Sequence, residues 1–304
     1  MAMPTGLHDL VSAHRAREVV EPGSALRFPT GLHPLDYVLK GGVRPGDLAL
    51  VLGRPGVGKT IMALQWARNV ALQGHDAIYV CYEHNPETLL QRLIGLELGF
   101  LGHTDEDTKE SLVPQALDRI GTYAGHLTFI QASGRSTDVD VIDGLAAERE
   151  GAPTAVFVDY LQKVRDQRPI DDEERRTAYI VEALKDTAVT RGVAMIAIAA
   201  ADKESLQARR LRMHNVRGSS SLVYEPDVGL VLNEKASAVS KAHLSFDATR
   251  VEKFRQQLVV SIEKNRDGLA NIDLEFSKDY GHYRLRPQGV FLAEKLVDEI
   301  IVPE

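Results

Sequence analysis

Cysteine is almost absent from this chain: Cys81 is the one thiol in 304 residues. A disulfide framework is therefore excluded, and because Cys81 lies inside an apolar run, a buried inert thiol is expected. Long apolar runs are missing as well. No stretch approaches the roughly 20 residues that span a bilayer, and the N-terminus has no basic-then-apolar leader pattern. A cytoplasmic protein without membrane contact is expected. Excess positive charge is also lacking: 36 Lys and Arg stand against 43 Asp and Glu, a net charge of −7. The chain is not a basic nucleic-acid coat, and any nucleic-acid contact has to come from a local patch. There is no internal repeat and no low-complexity tract. The apolar fraction is ordinary for a globular protein, and the length fits one large or two small domains.

What the chain does have is a glycine-rich octet, Gly53-Arg54-Pro55-Gly56-Val57-Gly58-Lys59-Thr60. This is G-x-x-x-x-G-K-T, a phosphate-binding P-loop. In such a loop the backbone N–H groups surround a β-phosphate, and the following helix adds its positive N-terminal end. Lys59 would reach the β- and γ-phosphates, and the Thr60 hydroxyl would sit on Mg²⁺, so ATP and Mg²⁺ are the expected ligands. The octet pattern is only moderately specific, and its setting decides. Before it, 47–52 is an apolar run of strand length after the Pro45-Gly46 turn signal. After it, Met62, Trp66 and Val70 recur at helical spacing.

Strand and helix then alternate. Strands are expected at 77–82, 127–131, 155–160, 193–199 and 228–232. Helices are expected at 86–98, 139–150 and 173–191, with 28–46 turn-rich from its Gly and Pro. Alternating units with near-continuous apolar strands predict an α/β fold, a mostly parallel sheet covered by helices on both faces. Runs at 258–263 and 272–276 around Asn265-Arg266-Asp267-Gly268 predict an antiparallel hairpin at one edge. Residues 6–20 carry a short amphipathic pattern. Segment 234–257 reads as an exposed loop or insertion, and 292–301 as an amphipathic C-terminal helix.

A P-loop needs a carboxylate at the end of a neighbouring strand, and Asp159, after four apolar residues, supplies it for Mg²⁺. Glu83 closes the 77–82 strand on the ligand-binding edge. From spacing alone it serves equally as a water-orienting group or as a carboxylate favoured at a helix N-terminus.

Thr30-Gly31-Leu32-His33-Pro34-Leu35-Asp36, then Gly41-Gly42, Pro45-Gly46-Asp47 and Arg54-Pro55 within the P-loop, resemble the motor domain of the DnaB-type replicative helicases. Val158-Asp159-Tyr160-Leu161-Gln162 matches that family's Asp-Tyr-Leu-Gln signature. The likeness covers about residues 6 to 286 and implies a RecA-like ATPase core over 28–290. A linker-type helix and connector over 1–27 would precede it, and a helix over 291–304 would follow. The resemblance further implies a hexameric ring, nucleotide between neighbouring subunits and single-stranded DNA in the pore. By that resemblance Lys59 and Thr60 are the phosphate and Mg²⁺ residues, and Asp159 is the Walker B carboxylate. Glu83 is the catalytic acid, in Cys81-Tyr82-Glu83 where the family has Ser-Leu-Glu. Lys264-Asn265-Arg266 stands where the family has Lys-Gln-Arg, so Lys264 and Arg266 would reach the adjacent subunit's ATP, with Arg266 as arginine finger.

The chain also departs from that pattern. It begins near the linker helix, so the family's helical N-terminal domain, which receives primase, is not expected. The position where the family has a γ-phosphate-sensing Gln falls on Ala200, whose side chain cannot make or relay a hydrogen bond. A basic stretch over 203–217, with Lys203, Arg209, Arg210, Arg212 and Arg217, keeps the charge of the family's DNA loop. Such a loop binds single strands through phosphates without sequence preference; it also reads as an ordinary solvated basic loop. Three functions stay open: a single-stranded-DNA helicase or translocase motor, a KaiC-like ATPase that regulates or assembles a protein partner, and an accessory ATPase of a full-length helicase.

Overall fold

The computed structural model describes residues 7, 11, 26–102, 106–165, 172–202, 205–216, 220–239 and 248–297. Its frame is a ten-stranded sheet in the order β10-β8-β7-β6-β1-β5-β4-β2-β3, with β9 paired to β8. The parallel strands are β1 (Leu48–Gly53), β2 (Asp76–Cys81), β3 (Leu127–Gln131), β4 (Thr154–Asp159), β5 (Ala194–Ala200) and β6 (Val228–Glu234). The antiparallel group comes next along the chain: β7 (Gln257–Asn265), β8 (Ile272–Asp279), β9 (Arg284–Leu285) and β10 (Val290–Phe291).

Side-chain alternation on β1 shows why both faces must be covered. Ala49 and Val51 join one apolar cluster, and Leu48, Leu50 and Leu52 join the other. On the first face lie α1 (His33–Val38), α2 (Lys59–Leu72), α3 (Pro86–Phe100) and α4 (Glu106–Gly121). On the second lie α5 (Val139–Ala147), α6 (Glu173–Arg191) and the short α7 (Ser221–Tyr224). Local signals set the helix ends. The Asn85 side chain accepts from Thr88 N at 2.8 Å ahead of Pro86, and Asp172 accepts from Arg175 N at 2.7 Å. Helix α6 stops at Gly192, which takes φ +64°.

Two expectations need correction, and one helix was not expected. The C-terminal helix is not formed over 292–297: Val290–Phe291 pairs with β8 instead, and Leu296 bridges to Val239. Leu292 and Leu296 are drawn onto a small cluster with Ala238, Val239 and Phe254, which outcompetes an isolated amphipathic turn. Segment 234–257 is not a plain loop. It carries α8 (Lys235–Ala238) and α9 (Ala248–Arg255), and the Lys235 ammonium is buried between Glu275 and Glu294. Helix α4 was not anticipated, since its polar sequence and internal Pro114 hide the period. Of the expected helix over 6–20, Leu7 and Val11 are helical and exposed; its other residues lie outside the described ones.

Helix α2 is tied to α3 by a buried ion pair. Arg68 Nε and Nη2 donate to the two Glu97 oxygens at 2.6 and 2.8 Å, and the Tyr123 hydroxyl adds a third bond at 3.0 Å. Glu97 is fully buried. Glu97→Leu therefore strands the Arg68 guanidinium, and a loss of about 3 kcal/mol in unfolding free energy is expected by urea titration. The paired change Arg68→Leu with Glu97→Leu should recover much of it. A single-variant loss below about 1 kcal/mol would contradict this assignment.

Candidate nucleotide site

The site forms where β1, β4 and β2 end. Gly53 closes β1, and the loop turns into α2 through Gly56 and Gly58, which take φ +76° and +103°. A Cβ at Gly58 would meet the Tyr280 hydroxyl at 2.3 Å, so the position tolerates no side chain. Tyr280 donates to the Val57 carbonyl at 2.6 Å and so holds the loop from outside. Tyr280 belongs to a strap, 279–285, that is itself locked onto α2. The Gln65 amide donates to Leu285 O at 3.1 Å and accepts from Leu285 N at 2.9 Å.

Lys59, Thr60, Glu83 and Asp159 line one cavity of about 370 Å³, within the ordinary range for a small ligand. The Lys59 ammonium donates to Gly53 O and Arg54 O, both at 2.8 Å. Burial lowers its pKa, against the raising influence of Asp159 and Glu83. Asp159 is shifted the other way: burial raises its carboxyl pKa, while hydrogen bonds from Tyr79 and Thr60 pull it down. The Tyr79 hydroxyl donates to Asp159 Oδ2 at 2.9 Å. Both opposing shifts mark charges kept from water that a bound phosphate–metal pair would neutralise. The donor set fits Mg²⁺. Thr60 and Asp159 offer hard oxygen atoms in contact with each other, and Mg²⁺ takes only one or two protein ligands when phosphates and water supply the rest.

Sequence reasoning missed four residues here. Arg92 on α3, His84 and Tyr283 line the same cavity, and Tyr280 braces the loop. The Arg92 guanidinium lies 5.8 Å from the Tyr283 ring centre. The His84 pKa is lowered by burial first and by Arg92 next. A lone Arg92 between Leu89 and Leu93, on the helix that starts beside Glu83, was the available signal. The buried Cys81 matches its expectation: its sulfur accepts from His84 N, and burial raises its pKa.

Lys264 and Arg266 do not line this cavity. Sheet register pairs Gly53 with Leu232 but Lys264 with Gly229. Two strand spacings across and three residues along place Lys264 roughly 14 Å from the start of the loop, towards the opposite edge of the sheet. Lys264 donates to Val223 O at 2.9 Å and to Tyr224 O; burial lowers its pKa, helped by Arg266. Arg266 donates to Tyr224 O at 2.8 Å and pairs with Asp227 at 3.2 Å.

The basic stretch differs most from its expectation. Lys203 and Arg217 lie outside the described residues. Arg210 is 5 % exposed and pairs with Asp273 at 2.9 Å, so in this arrangement it cannot meet a phosphate and leaves the DNA-contact set. Arg209 donates to Val239 O at 2.9 Å. Arg212, at 3.4 Å from Glu263, keeps 35 % of its side chain exposed. Arg54 turns away from the cavity and donates to Ala208 O.

A phosphate loop at the end of a parallel strand, with a Thr–Asp contact to the next strand but one, defines a P-loop ATPase fold of RecA-like architecture. The chain belongs to the DnaB-like helicase C-terminal domain family, whose model matches residues 28–284. It is 25 % identical over 275 residues to the replicative DNA helicase DnaC of Bacillus subtilis (strain 168), covering 86 % of this chain and 57 % of that protein. A probable plasmid replicative DNA helicase of Chlamydia psittaci is 24 % identical over 258 residues, 80 % of this chain and 52 % of the relative. The chain thus spans about half the length of these curated relatives. Among solved structures, one ATPase domain superposes with a TM-score of 0.76 at 18 % identity, covering 93 % of this chain and 99 % of that one. A DnaB-like replicative helicase, described with its interactions with primase, gives 0.74 at 18 % identity over 93 % and 67 % of the two chains. Among the described residues no helix is long and apolar enough to cross a membrane.

Proposed function

We propose that this chain is the ATP-hydrolysing motor of a ring-forming, DnaB-like helicase or translocase that acts on single-stranded DNA. The observation that carries the reading is the division of the site. Lys59, Thr60, Glu83 and Asp159 converge on one cavity, while Lys264 and Arg266 stand towards the other edge of the same sheet. One subunit holds half of the chemistry, and a neighbour in the ring supplies the rest.

In this reading the P-loop amides and Lys59 hold the β- and γ-phosphates. Thr60 and Asp159 hold Mg²⁺, which supplies charge neutralisation at the phosphates when bound. Glu83 accepts a proton from, and orients, the attacking water. Lys264 and Arg266 of the adjacent subunit stabilise the charge that develops on the transferred phosphoryl group. The basic stretch 203–217 would supply the phosphate contacts, with Arg209 and Arg212 as its described candidates.

The KaiC-like reading, an ATPase that regulates or assembles a protein partner, is favoured by two observations. Ala200 lines the cavity without a polar side chain, and Arg210 is withdrawn from the basic stretch. ATPase rates with and without single-stranded DNA, at low and moderate salt, separate the two. The motor reading expects stimulation and binding that weakens steeply with salt. Absence of both effects would leave the regulatory reading in place.

A further inference from the structure

Strands β4 and β5 part before the nucleotide cavity. Their ladder ends at Val158 and Ala197, because β4 stops at Asp159 and the chain turns into a short 3-10 segment, Leu161–Lys163. Strand β5 runs on to Ala200, which stays paired to Gly53 of β1 on its other side. The edge that β4 abandons is filled by one side chain. Ala200 N–H donates to Gln162 Oε1 at 3.0 Å, and Gln162 Nε2 donates to Ala200 O at 3.3 Å. The side-chain amide thus stands in for a missing strand, satisfying both backbone groups of a residue that lines the cavity beside Lys59.

The basic stretch begins just beyond Ala200. Ala201 bridges to Val216, Asp202 N donates to Asn215 O at 3.0 Å, and Ser205 N donates to Asp202 Oδ1 at 2.5 Å. Segment 205–216 is therefore hung at both ends from the two residues after Ala200. Gln162 lies three residues beyond Asp159, the carboxylate assigned to the metal. A shift at Asp159 has a short covalent path to the Gln162 amide, and the amide grips the root of the segment that holds Arg209 and Arg212.

We infer that Gln162 is a positioning residue that couples occupancy of the nucleotide cavity to the placement of segment 205–216, acting through the Ala200 backbone where the Ala200 side chain can act on nothing. The inference rests on the nucleotide reading of the cavity but not on the DNA reading of the segment. Coupling of this kind is a differential free energy between two states of one connected element.

The test compares wild type with Gln162→Leu, which keeps the bulk and removes the amide. Amide hydrogen exchange of peptides covering 205–216 is followed with and without a non-hydrolysable ATP analogue, alongside analogue affinity and thermal unfolding. In wild type the analogue is expected to change protection of 205–216. In Gln162→Leu that change should fall about fivefold or more, the low end of ordinary coupling, while analogue affinity stays within about threefold. A merely structural role would instead lower thermal stability and leave the nucleotide response intact. Gln162→Asn, whose amide is one methylene too short to reach both backbone atoms, gives the same reading if the Leu variant fails to fold. A nucleotide response that survives in either folded variant overturns the inference. So does a wild-type segment that ignores bound analogue. Wild type that binds no analogue removes the nucleotide reading and this inference together, whereas absent DNA stimulation with an intact exchange response removes the DNA reading alone.

Discussion

Lys59→Ala is expected to lower ATP turnover by about 10³-fold or more, to a level indistinguishable from background phosphate release. Its ammonium is the one cation on the P-loop placed to follow charge onto the γ-phosphate, and it is buried enough for desolvation to lower its pKa, so each interaction counts for more than in bulk solvent. Among the described residues its ammonium donates to two backbone carbonyls, those of Gly53 and Arg54, rather than to a carboxylate. Thermal unfolding should therefore shift little while turnover disappears. Turnover within about tenfold of wild type would mean that the cavity is not the hydrolytic site.

Arg266→Ala is expected to lower turnover by about 10³-fold with nucleotide affinity unchanged, the signature of a group that acts on the transition state from outside the binding pocket. Arg266 is free to serve in this way. Its side chain is 50 % exposed, and its contacts with Asp227 at 3.2 Å and Tyr224 O at 2.8 Å are ones it would exchange for the γ-phosphate. Asp227 would not be left unpaired on its release, since Lys185 holds it at 2.6 Å. Mixing gives the sharper measurement. An Arg266→Ala subunit keeps a working P-loop, and a Lys59→Ala subunit keeps a working finger. An equal mixture of the two inactive variants should form roughly a quarter of its junctions with both halves intact, and turnover should return in proportion. No recovery on mixing, or full activity of Arg266→Ala alone, would show that the finger does not act between subunits.

How legible the site was depends on the sequence distance over which each part is assembled. The P-loop is contiguous and needs one strand, one turn and one helix, so its octet and flanking periods place it. Strands β1, β2, β4, β5 and β6 read as near-continuous apolar runs because they are buried on both faces, whereas the edge strand β3 is only half-buried; the boundaries of all six fall within one or two residues of expectation. Tyr280 and Tyr283 were not legible, and for Arg92 the sequence offered only its place on the helix that starts beside Glu83. Arg92 sits on a helix whose apolar pattern gives no hint of what its polar face meets, and the strap bearing both tyrosines is fixed by Gln65 and Leu285, which are 220 positions apart. Arg210 was misread for the same reason. In sequence it is one more cation in a basic run, and its partner Asp273 arrives from a strand 63 residues later.

The sequence by itself determined the fold class, the phosphate loop and the carboxylates at the ends of β2 and β4, because those depend on periodicity and turn chemistry that act over a few residues. Only the tertiary structure decided which cations face the cavity, which are spent on internal ion pairs, and that an amide from Gln162 holds the end of β5. Those outcomes depend on burial and on partners brought together by the sheet, and the solvation of a charge is a property of the packed surface around it rather than of its neighbours in the chain.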